Sequence, residues 1–402
     1  MNSLTGEPST AALLPLVEAA AAVGAEYFCI GAGWYDAEPP GARGPGGAPG
    51  WWDTLGEWKE AKPRFPGDLT EVLERIRGAG MVPGLWLEPE VVGVRSPVAA
   101  ALPDAAFFRR DGVRLAEWGR HQLDLRHPAA RTHLDTVVDR LVGDYGVGYL
   151  KLDYNIDIGP GTDGPDGTDS PGDGLLGHNR AYLDWLDAVL ARHPTLVLES
   201  CAAGGSRTDH AILSRLPIHS VTDQQDFRLL PAIAAAAPNA VTPEQAAICV
   251  HPLPEHGEAE LGMTMVSALL GRVHLSGRPD LLTSSQLAVV QRALDTYKTY
   301  RHLLPTARSR WPLGLPGWRD GWLARWLALA VTATDGTTLL ALWRRDSAPA
   351  VMSVPIPWIP EGHRPRVLFA AGPEPTLDWD DGGRTLLAVL PAERQAMLIA
   401  FT

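Results

Sequence analysis

The sequence predicts an α/β protein: a (β/α)8 TIM barrel followed by a small C-terminal antiparallel β domain. Short apolar runs alternate with amphipathic helical patterns over about 280 residues, as expected of a parallel barrel. After residue 308 the pattern changes to alternating apolar and polar residues between turn signals, without long helical stretches. We therefore expect the barrel to occupy residues 1–308 and the β domain to occupy residues 309–402.

Eight segments have the length and apolar character of barrel strands. They span residues 26–30, 82–87, 121–125, 147–153, 195–199, 217–221, 244–249 and 272–276. Helices are predicted at residues 69–80, 127–146, 175–193 and 284–304, where apolar residues recur at helical spacing. The first of these ends in glycine and the second has a proline in its first turn, which are common signals for a helix end and a helix start.

Composition and charge exclude several classes of function. The chain has 402 residues, a formal net charge of −12 and no apolar run long enough to span a membrane, so neither nucleic acid nor a membrane is an expected partner. The N-terminal segment lacks the basic stretch and cleavage site of a secretory signal and predicts a helix. Cys29, Cys201 and Cys249 are widely spaced, which argues against disulfides. These features predict a cytoplasmic protein.

No metal or other cofactor is predicted, because the chain has no zinc-ligand spacing, phosphate-binding loop or serine nucleophile elbow. His178, His193 and His210 follow no ligand pattern and are interpreted as surface or structural residues. Two long loops, residues 36–53 and 159–174, follow predicted strands at the carboxyl face of the barrel, where active sites lie. The second loop contains four aspartates, but their spacing matches no EF-hand, so a solvated loop is favoured over a calcium site.

Acidic residues follow two predicted strands. In YLKLDYN, Lys151 and Asp153 point to the same face of the fourth strand, and Asp223 lies just past the sixth. Two carboxylates at one barrel mouth suit glycoside hydrolysis: one attacks or stabilises the anomeric carbon and the other protonates the leaving oxygen. Lys151 is expected to favour the ionised form of Asp153, whereas Asp223 has no cation within two residues and is the better proton donor. Helix N-caps remain the alternative interpretation of both aspartates.

Five motifs occur in the same order as in glycoside hydrolase family 36, the bacterial α-galactosidase group of retaining (β/α)8 enzymes. They are GLWLEPEVVG (84–93), LDLRHPAAR (123–131), YLKLDYN (149–155), ESCAAGGSRTD (199–209) and TDQQD (222–226). The chain resembles that family over roughly residues 10–310. The resemblance implies a retaining hydrolase of α-glycosides, with Asp153 as nucleophile and Asp223 as general acid/base. It also implies a carbohydrate or glycoside substrate, and it favours a homo-oligomer because oligomers are common in that family.

The same resemblance implies a set of substrate-binding residues. These are Trp34, Trp58, Arg120, Lys151, Asn155, Cys201 and Gly204. Lys151 and Asn155 match residues that bind sugar hydroxyls, and Trp58 matches an aromatic side chain against the sugar ring. Glu88 and Glu90 match positions that we interpret as architectural. Cys201 has a simpler alternative interpretation as a small buried side chain.

The chain departs from the family pattern at its first strand. It reads CIGAGWYD where family members typically read D-D-G-W or D-A-G-W, so Gly31 and Ala32 offer no side-chain acceptor to the far end of the sugar. Sugar preference is therefore expected to differ, unless Asp36 folds back to compensate. About 25 residues precede the first strand, where the family usually carries a β-sandwich, which suggests a shortened form or a mouth shaped by another subunit. The alternative functions are a non-hydrolytic sugar-binding relative and a transglycosylase or tailoring enzyme for an unusual glycoside.

Overall fold

The computed structural model describes residues 3–36, 52–159, 161–163, 169–315, 317 and 321–402. The chain divides into two compact units. The first comprises Met1–Ala21 and Ala25–Pro217, and the second comprises Ala22–Gly24 and Ile218–Thr402. Each unit has buried apolar clusters of its own. Among the helices in the described ranges, none combines the length and apolar character needed to cross a membrane.

The first unit is built on a parallel sheet formed by four of the eight strands in its described residues. The strands of the unit are β1 (Tyr27–Ile30), β2 (Val82–Leu87), β3 (Val91–Gly93), β4 (Arg109–Arg110), β5 (Val113–Arg114), β6 (Arg120–Gln122), β7 (Tyr149–Leu152) and β8 (Val197–Ser200). Strands β1, β2, β7 and β8 pair in that order and run parallel, with Leu150 opposite both Leu85 and Leu198. Their largely apolar sequences fit the interior of a parallel sheet that helices cover.

One predicted barrel strand does not join this parallel sheet. The prediction covers residues 121–125, but β6 pairs antiparallel with β3 instead. The backbone N–H of Leu123 donates to the carbonyl oxygen of Glu90 at 2.8 Å, which holds the segment against the chain that follows β2. The prediction is therefore wrong in its pairing, because apolar alternation indicates an extended segment without specifying its partner.

The helices that begin in the first unit confirm three of the four long helices predicted. They are α1 (Thr10–Ala22), α2 (Leu69–Gly78), α3 (Pro97–Ala101), α4 (Pro128–Gly143), α5 (Pro171–Arg192) and α6 (His210–Leu213), with a 3-10 turn at Asp104–Ala106. Helix α5 begins four residues before the predicted segment at 175 because Ser170 caps it. The Ser170 hydroxyl accepts a hydrogen bond from the backbone N–H of Asp173 at 3.2 Å, and Pro171 fits the first turn.

The second unit begins with three parallel strands and the helices that follow them. The strands are β9 (Ile218–Thr222), β10 (Ala246–Val250) and β11 (Arg272–Leu275), with β10 in the middle. The helices are α7 (Leu230–Ala236), α8 (Glu258–Val266) and α9 (Ser284–Tyr300), with 3-10 turns at Ala237–Asn239, Pro279–Leu281 and Arg301–Thr306. Thr283 and Gln286 form a capping box that begins α9, which confirms the fourth predicted helix.

Antiparallel strands make up the rest of the second unit, as predicted. They are β12 (Arg308–Arg310), β13 (Trp326–Thr332), β14 (Thr338–Arg344), β15 (Val351–Pro355), β16 (Pro365–Ala370), β17 (Thr376–Asp380), β18 (Thr385–Val389) and β19 (Gln395–Phe401). One sheet has the order β12-β13-β14-β19-β16 and the other the order β15-β18-β17. The first of these strands lies at the predicted boundary near residue 308, and the division into domains at that residue stays a prediction.

Candidate active site

The carboxyl ends of β2, β7 and β8 bring polar side chains to one edge of the parallel sheet. Trp86, Lys151 and Glu199 lie opposite one another in the strand register. Just beyond, the backbone N–H of Asp153 donates to β2 and that of Cys201 donates to β7, each at 2.8 Å. Asp153 and Cys201 therefore continue the ladder to the carboxyl edge, where barrel enzymes carry their reacting groups.

The carboxylate of Asp153 is buried and held by two donors. Its Oδ2 accepts a hydrogen bond from the indole Nε1 of Trp86 at 3.0 Å, and its Oδ1 accepts one from the backbone N–H of Tyr154 at 2.9 Å. The side chain is only 4% exposed. Each carboxylate oxygen thus has a fixed donor, which restrains rotation of the group. Trp86, which lies on β2 opposite Lys151, was not among the predicted site residues.

The ammonium group of Lys151 forms an ion pair with Glu199 on the neighbouring strand. Its Nζ lies 2.8 Å from Oε1 of Glu199, and the hydroxyl of Tyr149 donates to Oε2 of the same carboxylate. Lys151 was expected to act on Asp153, its neighbour on the same strand. The register explains the Glu199 contact, because residues opposite each other on paired strands approach closely. Glu199 was absent from the predicted site, and only knowledge of the pairing would have identified it.

Glu88, Arg120 and Asn155 form a buried network beside Asp153. The Nη1 of Arg120 donates to both carboxylate oxygens of Glu88 at 2.8 and 2.9 Å, and its Nη2 donates to the carbonyl of Asn155 at 2.9 Å. The N–H of Asn155 donates to Oε1 of Glu88 at 2.6 Å. Burial raises the pKa of Glu88 to about 7, and the charge of Asp153 adds to that shift while Arg120 opposes it. Because Arg120 is fully buried, the network fixes the chain that follows Asp153.

The environment of Glu90, two residues after Glu88, shifts its pKa in the opposite direction. It accepts hydrogen bonds from the guanidinium of Arg207 and from Nε2 of His178, the latter at 2.9 Å. Burial alone would raise the pKa of Glu90, but Arg207 and His178 outweigh it and lower the pKa to about 2. The guanidinium of Arg207 also lies 4.1 Å from the ring centroid of Tyr154, the residue after Asp153. His178, interpreted from sequence as surface or structural, is thus a buried partner of this network.

Trp34 and Trp58, both predicted to bind substrate, belong to an aromatic cluster with Tyr35 and Trp86. The ring of Trp58 lies 4.9 Å from Tyr35 and 6.1 Å from Trp86, and the indole of Trp34 donates to the carbonyl of Trp86 at 2.9 Å. Both tryptophans are at most 1% exposed. Within the described part of the chain, the indole Nε1 of Trp58 and the hydroxyl of Tyr35 have no hydrogen-bond partner although both are buried. Buried donors of this kind commonly mark a place where water or a ligand binds.

The loop after β8 carries the other two predicted ring-lining residues. Cys201 is buried, and its sulfur lies 3.8 Å from the carbonyl oxygen of Gly204. Gly204 has a φ of 84°, a conformation that favours glycine. The side-chain oxygen of Asn155 accepts the backbone N–H of Ala203 at 3.1 Å, which fastens this loop to the segment after Asp153. The first unit therefore brings Asp153, Asn155, Cys201 and Gly204 to one edge.

Asp223 belongs to the second unit and directly follows β9, as predicted. It is half-buried, and the hydroxyl of Thr222 accepts the backbone N–H of Gln224 at 3.0 Å in the same turn. Asp226, three residues on, is bound by Arg228. The predicted position of Asp223 at the same barrel mouth as Asp153 stays a prediction.

Gly31 and Ala32, which stand where the family pattern has aspartates, follow the first strand directly. Ala32 is fully buried and Gly31 is partly exposed at the carboxyl end of β1. The carboxylate of Asp36 is 2% exposed; it accepts the hydroxyl of Thr54 at 3.0 Å and lies 3.4 Å from Nη2 of Arg64. These contacts hold Asp36 within the protein and give no support to the idea that it replaces the missing acceptors.

The predicted calcium alternative concerns a loop, residues 159–174, of which 160 and 164–168 lie outside the described residues. Most of the other predicted loop, 36–53, also lies outside them. No group of three or more histidine, cysteine, aspartate or glutamate side chains that could hold a metal ion occurs in the described ranges.

The fold is a (β/α)8 barrel with a C-terminal antiparallel β domain, and the carboxylate of Asp153 stands at the carboxyl edge of its strands. Comparison with known families agrees, because the family described as Melibiase matches residues 7–306. The chain belongs to the Melibiase family. The resemblance to glycoside hydrolase family 36 is also confirmed by this family match and by α-galactosidase relatives, and solved structures of family 36 share the fold.

The matches between this chain and individual relatives cover part of each relative's length. The chain is 26% identical to an α-galactosidase of Escherichia coli over 76% of this chain and 41% of that protein. It is 25% identical to α-galactosidase 1 of Pediococcus pentosaceus over 73% of this chain and 39% of that protein. The chain thus spans about two fifths of the length of these relatives.

Solved structures show the fold across the whole chain. The galactosidase domain of an α-galactosidase–sucrose kinase superposes with a TM-score of 0.78 at 20% identity, covering 100% of this chain and 54% of that one. A family 27 β-L-arabinopyranosidase from Geobacillus stearothermophilus gives a TM-score of 0.69 at 14% identity, covering 99% of this chain and 93% of that one.

Proposed function

We propose that this protein is a retaining glycoside hydrolase of the α-galactosidase type that acts on α-glycosides. One observation carries the proposal: the carboxylate of Asp153 stands at the carboxyl edge of the sheet, buried and held by Trp86 and Tyr154. Family membership and the names of the relatives support the hydrolase class. A carboxylate fixed in this way suits attack on an anomeric carbon, because its orientation is set before the substrate arrives.

The proposed mechanism is a double displacement. One oxygen of Asp153 attacks the anomeric carbon, the bond from that carbon to the leaving oxygen breaks, and Asp223 transfers its proton to the leaving oxygen. A water molecule then gives a proton to Asp223 while its oxygen attacks the anomeric carbon, and the ester bond to Asp153 breaks. The sugar leaves with its original anomeric configuration, and no cofactor takes part.

We assign the predicted substrate-binding residues to two roles. Lys151, Asn155, Cys201 and Gly204 lie at the edge that carries Asp153 and are proposed to contact the sugar. Arg120 is fully buried with its guanidinium on Glu88 and Asn155, so we propose it as a positioning residue.

The aromatic cluster supplies donors that a sugar could use. The indole of Trp58 and the hydroxyl of Tyr35 are buried donors without a partner among the described residues. Burial, together with the charges of Glu88 and Asp36, raises the pKa of Tyr35 well above its ordinary value, so the hydroxyl stays protonated. Sugar hydroxyls that accept these hydrogen bonds would satisfy both groups. Gly31 and Ala32 supply no matching acceptors, and for that reason we propose that sugar preference differs from that of galactose-specific relatives.

The roles of the two aspartates can be tested by substitution with azide as an external nucleophile. Asp153→Ala is expected to lose about a thousandfold or more of kcat on aryl α-glycosides. With azide and an activated substrate it should form a glycosyl azide of inverted configuration, because azide replaces the missing nucleophile. Asp223→Ala should instead form the azide of retained configuration, because azide attacks the glycosyl-enzyme in place of activated water.

The matched control is Asp157→Ala, since Asp157 is an exposed carboxylate four residues from Asp153. Its turnover should equal that of the wild type. Turnover that survives Asp153→Ala would exclude Asp153 as nucleophile. Tight binding of sugars by calorimetry without turnover of any α-glycoside would favour the non-hydrolytic alternative. Products formed with excess alcohol acceptor would distinguish a transglycosylase.

A further inference from the structure

An exposed tryptophan occupies an unfavourable backbone conformation close to the candidate site. Trp118 is 67% exposed and has a φ of 50°. It is followed by Gly119, with a φ of 76°, and the two form the loop of a tight hairpin. Glu117 and Arg120 close that hairpin by exchanging backbone hydrogen bonds, both at 2.9 Å.

This hairpin would be more stable with another residue in place of Trp118. Two-residue loops with positive φ at both central positions favour Asn-Gly or Asp-Gly, because bulky side chains strain the left-handed region. A large apolar side chain that is also exposed gains little from packing. A strained and exposed residue of this kind is a reason to look for a function.

The neighbours of Trp118 connect it to the candidate site through a short chain of contacts. Its ring lies 6.1 Å from the ring of Trp52, and the guanidinium of Arg120 lies 4.1 Å from the Trp52 ring. Arg120 in turn binds the carbonyl of Asn155, two residues after Asp153. The carbonyl of Gly119 also accepts the backbone N–H of Val94 at 2.9 Å, which fastens the hairpin to the chain that follows β2.

We propose that Trp118 and Trp52 form a binding platform for the leaving group of the substrate when that group is a sugar ring. The inference rests on the proposed glycosidase function. One face of a pyranose ring is made of C–H groups and packs on the flat apolar face of an indole. Arg120 links this platform to Asn155, two residues after Asp153, so the platform suits the part of an α-glycoside that leaves rather than the sugar that reacts.

The test compares two substrates that share the reacting sugar. Raffinose has a sugar leaving group, whereas α-galactosyl fluoride has none that could reach the platform. In Trp118→Asn, the ratio of kcat/KM for raffinose to kcat/KM for the fluoride should fall roughly tenfold, the size expected from losing the burial of one ring face. Trp118→Phe should keep most of the wild-type ratio because it retains an aromatic face.

The asparagine variant also separates binding from folding. Asn-Gly is favoured in this hairpin, so the Tm of Trp118→Asn should equal or exceed that of the wild type. Val113→Ala removes another exposed apolar side chain of the first unit, 68% exposed, and should leave the ratio unchanged. A ratio that changes less than twofold in Trp118→Asn, or falls equally in Trp118→Phe, overturns the platform. So does a loss of oligomer in light scattering with an unchanged ratio, which would make this face an interface between copies of the chain.

Failure of the proposed function gives a different result. If the wild type hydrolyses neither of these substrates nor the aryl α-glycosides of other sugars, the glycosidase proposal fails on its own. Calorimetry with raffinose and the same three variants then tests the platform directly. Affinity that falls roughly tenfold in Trp118→Asn supports it, and affinity that does not depend on residue 118 overturns it.

Discussion

The indole N–H of Trp86 donates to Oδ2 of Asp153 at 3.0 Å from the neighbouring strand. Trp86 itself is held, because the indole of Trp34 donates to its backbone carbonyl and the ring of Trp58 packs against it. The aromatic cluster thus acts on the candidate nucleophile through Trp86. Trp34 and Trp58 were predicted to contact the sugar. Both contact Trp86, and Trp86 in turn donates the hydrogen bond to Asp153.

Replacing Trp86 by phenylalanine tests this relationship. Trp86→Phe keeps a ring in the cluster but removes the donor to Asp153. A hydrogen bond to a charged group contributes about 1.5–3 kcal/mol, so kcat/KM on an α-glycoside should fall roughly ten- to a hundredfold. Steady-state kinetics measure the loss, and the thermal unfolding midpoint checks that the variant is folded. Unchanged kcat/KM in a folded variant would show that Asp153 does not depend on this donor.

The ion pair between Lys151 and Glu199 should contribute to stability more than an exposed pair does. Glu199 is 1% exposed, so Glu199→Gln removes a buried negative charge that lies 2.8 Å from the Lys151 ammonium. The free energy of unfolding should fall by about 3 kcal/mol in urea titrations. The control is Glu18→Gln, whose partner Arg75 is 56% exposed, and its effect should stay within about 0.5 kcal/mol. Equal effects of the two substitutions would contradict the buried role of Glu199.

Glu88 and Glu90 should give opposite pH dependences of stability. The pKa of Glu88 rises from 4.5 to about 7, so between these values the folded protein binds a proton more tightly than the unfolded chain does. The contribution of Glu88 to stability therefore falls as pH rises through this window. The pKa of Glu90 falls from 4.5 to about 2, so its contribution is complete above pH 4.5 and is lost as pH falls toward 2.

Unfolding free energies of the wild type, Glu88→Gln and Glu90→Gln across pH 2–8 measure both effects. The difference between wild type and Glu88→Gln should move against the wild type as pH rises from 4.5 to 7. The difference between wild type and Glu90→Gln should shrink as pH falls below 4.5. Two differences with slopes of the same sign would refute the assignment of these environments.

The sequence could predict those parts of the fold and site that depend on local pattern. Asp153 and Asp223 both directly follow parallel strands, because strand ends are visible as the point where an apolar run stops. The pairing of those strands could not be read in the same way. Glu199 became the partner of Lys151, and β6 paired with β3 instead of joining the parallel sheet, because both depend on which segments lie side by side. The burial of Arg120 likewise depends on Glu88 and Asn155, which lie 32 and 35 residues away along the chain.

The absence of carboxylates at the first strand leads to the last prediction, which concerns Gly31. Gly33 could not be replaced, because its φ is 90° and an added Cβ would lie 1.9 Å from the carbonyl oxygen of Gly6. Ala32 is fully buried, so a carboxylate there would lack solvent. Gly31 is partly exposed and has no positive φ, so Gly31→Asp should fold. If its new carboxylate accepts hydroxyls at the far end of the sugar, kcat/KM for an α-galactoside should rise roughly ten- to a hundredfold relative to an α-glucoside. An unchanged ratio in a folded variant would mean that this end of the pocket is built from other residues.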